Sequence, residues 1–560
     1  MPSSIQAALD DWFALELKRI QAPSPEIAAK LKQDEAELEK WLIAEGERSG
    51  LPRALNTAGP VTVADRPADK PSFIIVGAGV GGICMAVKLV EAGFDDFLIL
   101  EKAEDLGGTW HHNRYPGIAC DVNSYLYQFG FFKKIDWTSS TPSGAEIQQY
   151  LKDVARHYGV DKHIRFGAEV QSCTRTGGKW NVALADGETH AADVLISAVG
   201  FLHYPNPPAF EGMDSFQGTS LHSSRWTADV AISGKRVGMI GNGSSAVQIV
   251  PRIIDDVSEL KVFQRTAQWL FPAPRDYYSP SRIEMLSMYP DLVHRLYDFY
   301  MKWYSEVFGN AVVGDKEGQQ FFLDACAQNL ASVSDPALRE KLSPPDPIMC
   351  KRLVFGDGYY EALQSPKSSL VTEAIERVEP TGIRTADGTL HELDVIIYAT
   401  GYKTHEYCRR LNVSVEGGRT LEDAWTSGAR TMDSVAVAGF PNFFILGGPY
   451  STAGNLSTMT CSEYQADFIV DLISGMIDAG AVAVTPTAEA EQEFVQDMQS
   501  VVAGTTWASG CNSWYLDEHG KLDIWVKTPR EYLDRMIAGP DPAHYALLAD
   551  EKKVLSDSVS

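Results

Sequence analysis

The chain has 560 residues, 44% of them apolar, which is too long for one hydrophobic core and sets two or three domains as the expectation. Seventy-four acidic against 49 basic residues leave a formal charge of -25, which excludes the basic footprint of sequence-independent nucleic-acid binding and requires any anionic cofactor to be held locally. No stretch approaches the about 20 apolar residues of a membrane span, and the eight scattered cysteines form neither a C-x-x-C pair nor a zinc-ligand spacing, so no membrane span and no metal site are expected, and a reduced, cytoplasmic setting is.

Residues 1–65 carry two amphipathic helical patterns, Ile5, Leu9, Trp12, Phe13, Leu17 and Ile20, then Ile27, Leu31, Leu38, Trp41 and Leu42. Neither is long enough to be stable alone, so this N-terminal helical extension packs on the main body or on a second copy of the chain in a homodimer. Pro52, Pro60, Pro67 and Pro71 mark a linker.

The apolar run Ser72 to Val76 reads as a buried strand, and it leads at once into Gly77-Ala78-Gly79-Val80-Gly81-Gly82 and a helical run. A second strand, Phe97 to Leu100, ends on Glu101. Glycine permits the tight turn at Gly77, the approach of backbone to a pyrophosphate at Gly79, and helix-to-strand packing at Gly82. The pyrophosphate then lies at a helix N-terminus, where free N–H groups and the dipole favour an anion.

The plan recurs. Arg236 to Ile240 is a strand, Gly241-Asn242-Gly243-Ser244-Ser245-Ala246 the turn and helix start, and Glu259 to Phe263 the next strand. Arg265 stands as far beyond Gly241 as Glu101 stands beyond Gly77, so the two positions compare directly. A carboxylate accepts from ribose hydroxyls, whereas a guanidinium, with Thr266 beside it, meets a 2′-phosphate. The first site therefore suits an unphosphorylated adenosine and the second NADP. Each unit closes on a similar strand, 193–200 and 394–401, and the second is longer by a helical insertion at about 281–345. Phe443 to Leu446 reads as a missing strand of the first sheet, so the second domain lies within the first.

The fold expected is thus α/β, with two Rossmann-like dinucleotide-binding domains, one for FAD at 70–205 and 395–545 and one for NADP at 206–394, beside the N-terminal extension. Between the two glycine turns lie Phe216, Gly218, His222 and Trp226, spaced F-x-G-x-x-x-H-x-x-x-W. At every defined position this matches the fingerprint of the type I Baeyer-Villiger monooxygenases, and the resemblance runs from about residue 70 to about residue 530. Gly107-Gly108-Thr109-Trp110, Tyr115-Pro116-Gly117 and Asp121 resemble that family's flavin-side segment. Lys351-Arg352 resembles its basic pair, and Ser513-Trp514-Tyr515 its late tryptophan segment. Thr227 departs from the usual proline or aspartate, and the N-terminal extension resembles that of the hydroxyacetophenone monooxygenase branch, though shorter.

The resemblance implies that NADPH reduces FAD, that O2 adds to give a flavin C4a-peroxide, and that a ketone is converted to an ester or lactone. It also implies that Gly108, Thr109, Trp110, Asp121 and Tyr127 line the flavin, and that Gly241, Gly243, Ser244, Ser245, Arg265, Thr266, Lys351 and Trp514 serve NADPH. A peroxyanion needs a fixed cation and shelter from water. Arg352 is the candidate catalytic cation, with Asp121 to hold and orient it. Asp121 as a helix cap, Trp514 as a packing residue and His222 as a hydrogen-bonded linker residue are the plainer alternatives, and for His222 the plainer one is favoured over acid–base work. Two other functions fit the two nucleotide sites: a flavin-dependent N- or S-monooxygenase, whose fingerprint lacks the terminal tryptophan seen at Trp226, and a non-catalytic NADPH-binding protein, which lost glycines or a lost basic pair would mark.

Overall fold

In the computed structural model, the described residues are 4–20, 25–64, 70–452, 454–511 and 513–549. Pro67 of the expected linker lies outside them. The chain forms two compact units.

The smaller unit joins Met1–Pro60 with Val122–Pro142 and Arg275–Trp303. Helices Ile5–Ile20 and Pro25–Arg48 pack antiparallel, since Trp12 meets Glu39 and Arg19 meets Glu35. Their apolar stripe, with Trp12 and Leu42 fully buried, faces helices Pro280–Met288 and Asp291–Trp303. The buried Arg282 guanidinium donates to both carboxylate oxygens of Glu16, at 2.9 and 2.8 Å, and lies over the Trp12 and Tyr278 rings. Arg19 donates to Glu16, Glu35 and Asp276, so each buried charge has a partner, the condition for tolerating charge away from water. The insertion is split at Trp303, because Glu16 and Arg282, 266 residues apart, bind each other, a pairing that linear reading does not expose.

The larger unit contains two five-stranded parallel sheets of the same order. In the first, Phe73–Val76 lies between Phe97–Leu100 and Val194–Ser197, with Ile164–Arg165 and Phe443–Ile445 at the edges. In the second, Arg236–Ile240 lies between Glu259–Phe263 and Val395–Tyr398, with Ser368–Val371 and Thr219–His222 at the edges. Continuous burial of the central strands explains their unbroken apolar runs, the pattern of parallel sheets covered on both faces. The chain leaves the first sheet after Ser197, builds the second, and returns to add Phe443–Ile445, so one dinucleotide-binding domain is inserted in the other. The linker fingerprint supplies Thr219–His222, which holds in the second sheet the place that Phe443–Ile445 holds in the first. Among the described residues, no helix is long and apolar enough to cross a membrane.

Candidate active site

At the first turn Gly77 has φ +105°, and a Cβ there would stand 2.7 Å from the Ala198 carbonyl oxygen. A Cβ on Gly82 would lie 1.9 Å from the Gly77 carbonyl oxygen. Gly79 packs backbone to backbone against Gly108, where a Cβ would come within 3.0 Å of the Gly79 Cα. The helix Val80–Glu91 starts at Gly79 with no side-chain cap, which leaves its first N–H groups free for an anion. Glu101 is buried at the end of its strand, and its oxygens accept from the Ala78 and Ala103 N–H groups, each at 2.8 Å. Those bonds fix the carboxylate and leave a second lone pair on each oxygen. Thr109 opens the short helix Thr109–His112, in which Trp110 is buried. Tyr127, also buried, belongs to the smaller unit.

The second turn repeats this geometry. Gly241 has φ +108°, and a Cβ there would meet the Ala399 carbonyl oxygen at 2.4 Å. Gly243 faces open space, and the helix Ser244–Ile253 begins there without a side-chain cap, with Ser244 and Ser245 in its first turn. Asn242, which sequence reasoning passed over, donates to Gln264 Oε1 and to the Thr266 carbonyl, both at 2.9 Å, and so ties the turn to the segment carrying the exposed Arg265. Lys351 pairs with Asp346 at 2.6 Å and lines a small recess with Ala267, Gln268, Trp269 and Arg352.

The fingerprint residues occupy structural positions. A Cβ on Gly218 would lie 2.3 Å from the Asp394 carbonyl oxygen. Phe216 packs on the second sheet's apolar cluster, and Trp226 is buried in another beside Tyr115 and Met239. His222 Nδ1 accepts from the Ser224 N–H at 3.2 Å, which leaves Nε2 to donate to the Gly401 carbonyl at 3.1 Å. Burial lowers its pKa against the pull of that carbonyl, so the ring is a neutral tie between linker and return strand.

Arg352 and Asp121, 231 residues apart, meet with Nη2 donating to Oδ2 at 2.7 Å. Nη1 donates to the Gly454 carbonyl at 3.3 Å. Burial alone would favour loss of the guanidinium charge, but the Asp121 carboxylate outweighs it and the pKa moves upward. Tyr515 is fully buried beside this pair, and burial pushes its hydroxyl up to about 12. A Cβ on Gly454 would stand 2.5 Å from the Tyr515 hydroxyl oxygen, so glycine lets this loop approach both side chains. The Tyr515 hydroxyl, both side-chain polar atoms of Asn455, Ser457 Oγ and Thr460 Oγ1 are buried with no hydrogen-bond partner among the described residues. Buried polar atoms are rarely left so, and these suit a polar group held in the loop beside Arg352. With the two uncapped helix N-termini they make a donor set that fits FAD and NADP. Tyr515 was visible in the sequence only as a member of the segment 513–515.

Cys350 and Cys511 form a disulfide, with Cα atoms 6.3 Å apart, while the other six cysteines are buried and lie outside it. The two lie 161 residues apart, so spacing gave no sign of the pair. The bridge joins the loop bearing Lys351-Arg352 to the segment bearing Trp514-Tyr515.

The same arrangement is known in other proteins. A family model described as pyridine nucleotide-disulphide oxidoreductase matches residues 74–287. An uncharacterized monooxygenase of Mycobacterium tuberculosis is 39% identical over 477 residues, covering 85% of this chain and 96% of that protein. A Baeyer-Villiger monooxygenase of Streptomyces coelicolor is 34% identical over 480 residues, covering 85% and 92%. The crystal structure of OTEMO in complex with FAD and NADP superimposes with a TM-score of 0.77 at 30% identity, over 86% of this chain and 100% of that one. Two glycine turns that each open an uncapped helix, a fingerprint linker between them and identity across both place this chain in the type I Baeyer-Villiger monooxygenase family, whose members work with FAD and NADPH.

Proposed function

We propose that Arg352, aimed by Asp121 and the Gly454 carbonyl, is the fixed cation of a Baeyer-Villiger oxidation in which a ketone, O2, NADPH and a proton give an ester or lactone, NADP+ and water. The observation that carries this reading is the Arg352–Asp121 bond of 2.7 Å, with no other acid paired to that guanidinium among the described residues. FAD held at the Gly77–Gly82 turn would supply a hydride acceptor for NADPH and an electron donor for O2. The chain's own part is electrostatic and steric. Arg352 stays charged at every working pH and offers a planar set of donors to negative charge developing on oxygen. The buried Tyr515 and Asn455 walls keep water from that charge.

On the same reading, the FAD-binding domain comprises 70–205 and 395–545, and the NADP-binding domain 206–394. Gly77, Gly79, Gly82, Glu101, Gly108, Thr109 and Trp110 serve FAD. Gly241, Gly243, Ser244, Ser245, Arg265, Thr266, Lys351 and Trp514 serve NADPH, with Arg265 as the residue that meets the 2′-phosphate. A homodimer through the N-terminal extension would use its outer face, since residues 275–303 fill the inner one. A cytoplasmic setting is supported by the six cysteines outside the disulfide and opposed by the Cys350–Cys511 bridge, and thiol counting on protein from a lysate decides it.

The test is to incubate holoenzyme with NADPH, O2 and a panel of linear, cyclic, aryl and steroid ketones. Esters or lactones in the mass spectrum, absent without NADPH, are expected. NADPH consumption with hydrogen peroxide as the only product across the panel would overturn the reading.

A further inference from the structure

His405 lies just past the strand Val395–Tyr398 and reaches the segment that carries Trp514. Its Nδ1 is 2.8 Å from Asp523 Oδ2, and its Nε2 is 2.9 Å from the Trp514 carbonyl oxygen. Both neighbours are acceptors, a carboxylate and a carbonyl. A neutral imidazole has one N–H and cannot serve both. The pair therefore carries one proton beyond neutral imidazole plus carboxylate. On the imidazole it gives two N–H donors; on Asp523 it gives an acid that donates to Nδ1 while Nε2–H serves the carbonyl. In either form both bonds are made.

Removal of that proton forces a choice. The carboxylate is the stronger acceptor, so the remaining N–H goes to Asp523 and a bare Nε2 lone pair faces the Trp514 carbonyl. Thr404 Oγ1, at 3.4 Å, is then the carbonyl's remaining side-chain donor among the described residues. We propose that His405 is a positioning residue: the proton shared by His405 and Asp523 latches the Trp514 segment, and its loss releases that segment. The role of the latch in NADPH use rests on the reading of Trp514 as a dinucleotide contact.

The surroundings favour the latched state near neutrality. Asp523 is 3% exposed, with its second oxygen buried and unpaired, so its free carboxylate is costly. Burial raises its pKa against the His405 bond. For His405, burial acts downward, but the Asp523 bond and charge and the Trp514 carbonyl together move the pKa up. Asp517 adds negative charge, and the Tyr407 and Tyr450 hydroxyls, which face Asp523, are themselves pushed up by burial and stay neutral. A raised histidine pKa means that the latch is closed below it and opens as pH rises through it, on the alkaline side of the ordinary histidine value. The Cys350–Cys511 bridge holds the other end of the segment, so release at Trp514 is local.

The experiment is hydrogen–deuterium exchange of holoenzyme at residues 513–516, read as protection factors from pH 6 to pH 10 for the parent, His405→Phe and Asp523→Asn. Parent protection is expected to fall roughly three- to tenfold through one titration. His405→Phe should be open throughout, because its ring offers no donor to the Trp514 carbonyl at any pH. Asp523→Asn should be closed throughout, because its amide donates to Nδ1 and leaves Nε2–H for the carbonyl. Opposite plateaus in two folded, FAD-loaded variants cannot come from general loosening. Protection that follows the parent profile in both variants would overturn the latch. NADP+ affinity of Trp514→Ala is measured alongside: if unchanged, the reading of Trp514 as a cofactor contact falls, while the latch is still judged by exchange.

Discussion

On the proposed reading, Arg352 separates an oxygen-inserting enzyme from one that merely oxidises NADPH. Arg352→Ala is expected to fold and keep FAD but to lose ester formation by about a hundred- to a thousandfold, the worth of roughly 2.7 to 4 kcal/mol of charge stabilisation. Stopped-flow absorbance should still show flavin reduction by NADPH; ester formation near the parent rate would make the residue structural and put Lys351 next in line. Asp121→Asn should show a milder loss, since Gly454 still holds one edge of the guanidinium. Arg265→Ala should weaken NADPH about ten- to a hundredfold and leave NADH nearly unchanged, a charged hydrogen bond being worth roughly 1.5 to 3 kcal/mol. Equal losses in KM for both cofactors would return Arg265 to a structural role.

At the scale of elements, the two glycine turns make the sharpest claims. Gly82→Ala places a methyl 1.9 Å from a backbone oxygen that cannot swing away, so the helix must lift from its strand. Protein purified from that variant should lack the flavin absorbance band, and a yellow, fully loaded variant would show that the turn yields. These turns were legible in the sequence because a glycine requirement is local: strand, turn, helix and the charged residue closing the next strand fall within one short stretch. The fingerprint was legible as a motif but not as a cause. The structure shows Gly218 admitted by the Asp394 carbonyl and His222 bonded to Gly401, both contacts across the sheet. Asn242, the Cys350–Cys511 bridge and the acceptor pair around His405 escaped notice for the same physical reason. Each depends on side chains that only the folded chain brings together, and none has a characteristic spacing.

For the molecule as a whole, the N-terminal helices are held by charge as well as by apolar packing. Burial alone would raise the Glu16 carboxyl, but Arg282 and Arg19 outweigh it and bring it down to about 2. A depressed carboxylate contributes stability that is fully present above its unfolded value of 4.5 and is lost as pH falls toward about 2. Thermal melts should therefore drop on the acid side of pH 4.5 in the parent. Glu16→Gln, which leaves the buried Arg282 charge without its partner, should be less stable by about 3 to 5 kcal/mol near neutrality, with a flatter acid limb. An unchanged melting temperature would show that the smaller unit does not limit stability.

The shared strand order of the two sheets also sets a timetable for synthesis. Chains leave the ribosome from the N-terminus, and domains tend to fold as they emerge. By the time Val395–Tyr398 is out, every strand of the second sheet exists, yet the first still lacks Phe443–Ile445. The domain begun second is thus the one completed first, and the nascent chain passes through a stage with a finished NADP-type sheet beside an open edge on its flavin-type neighbour.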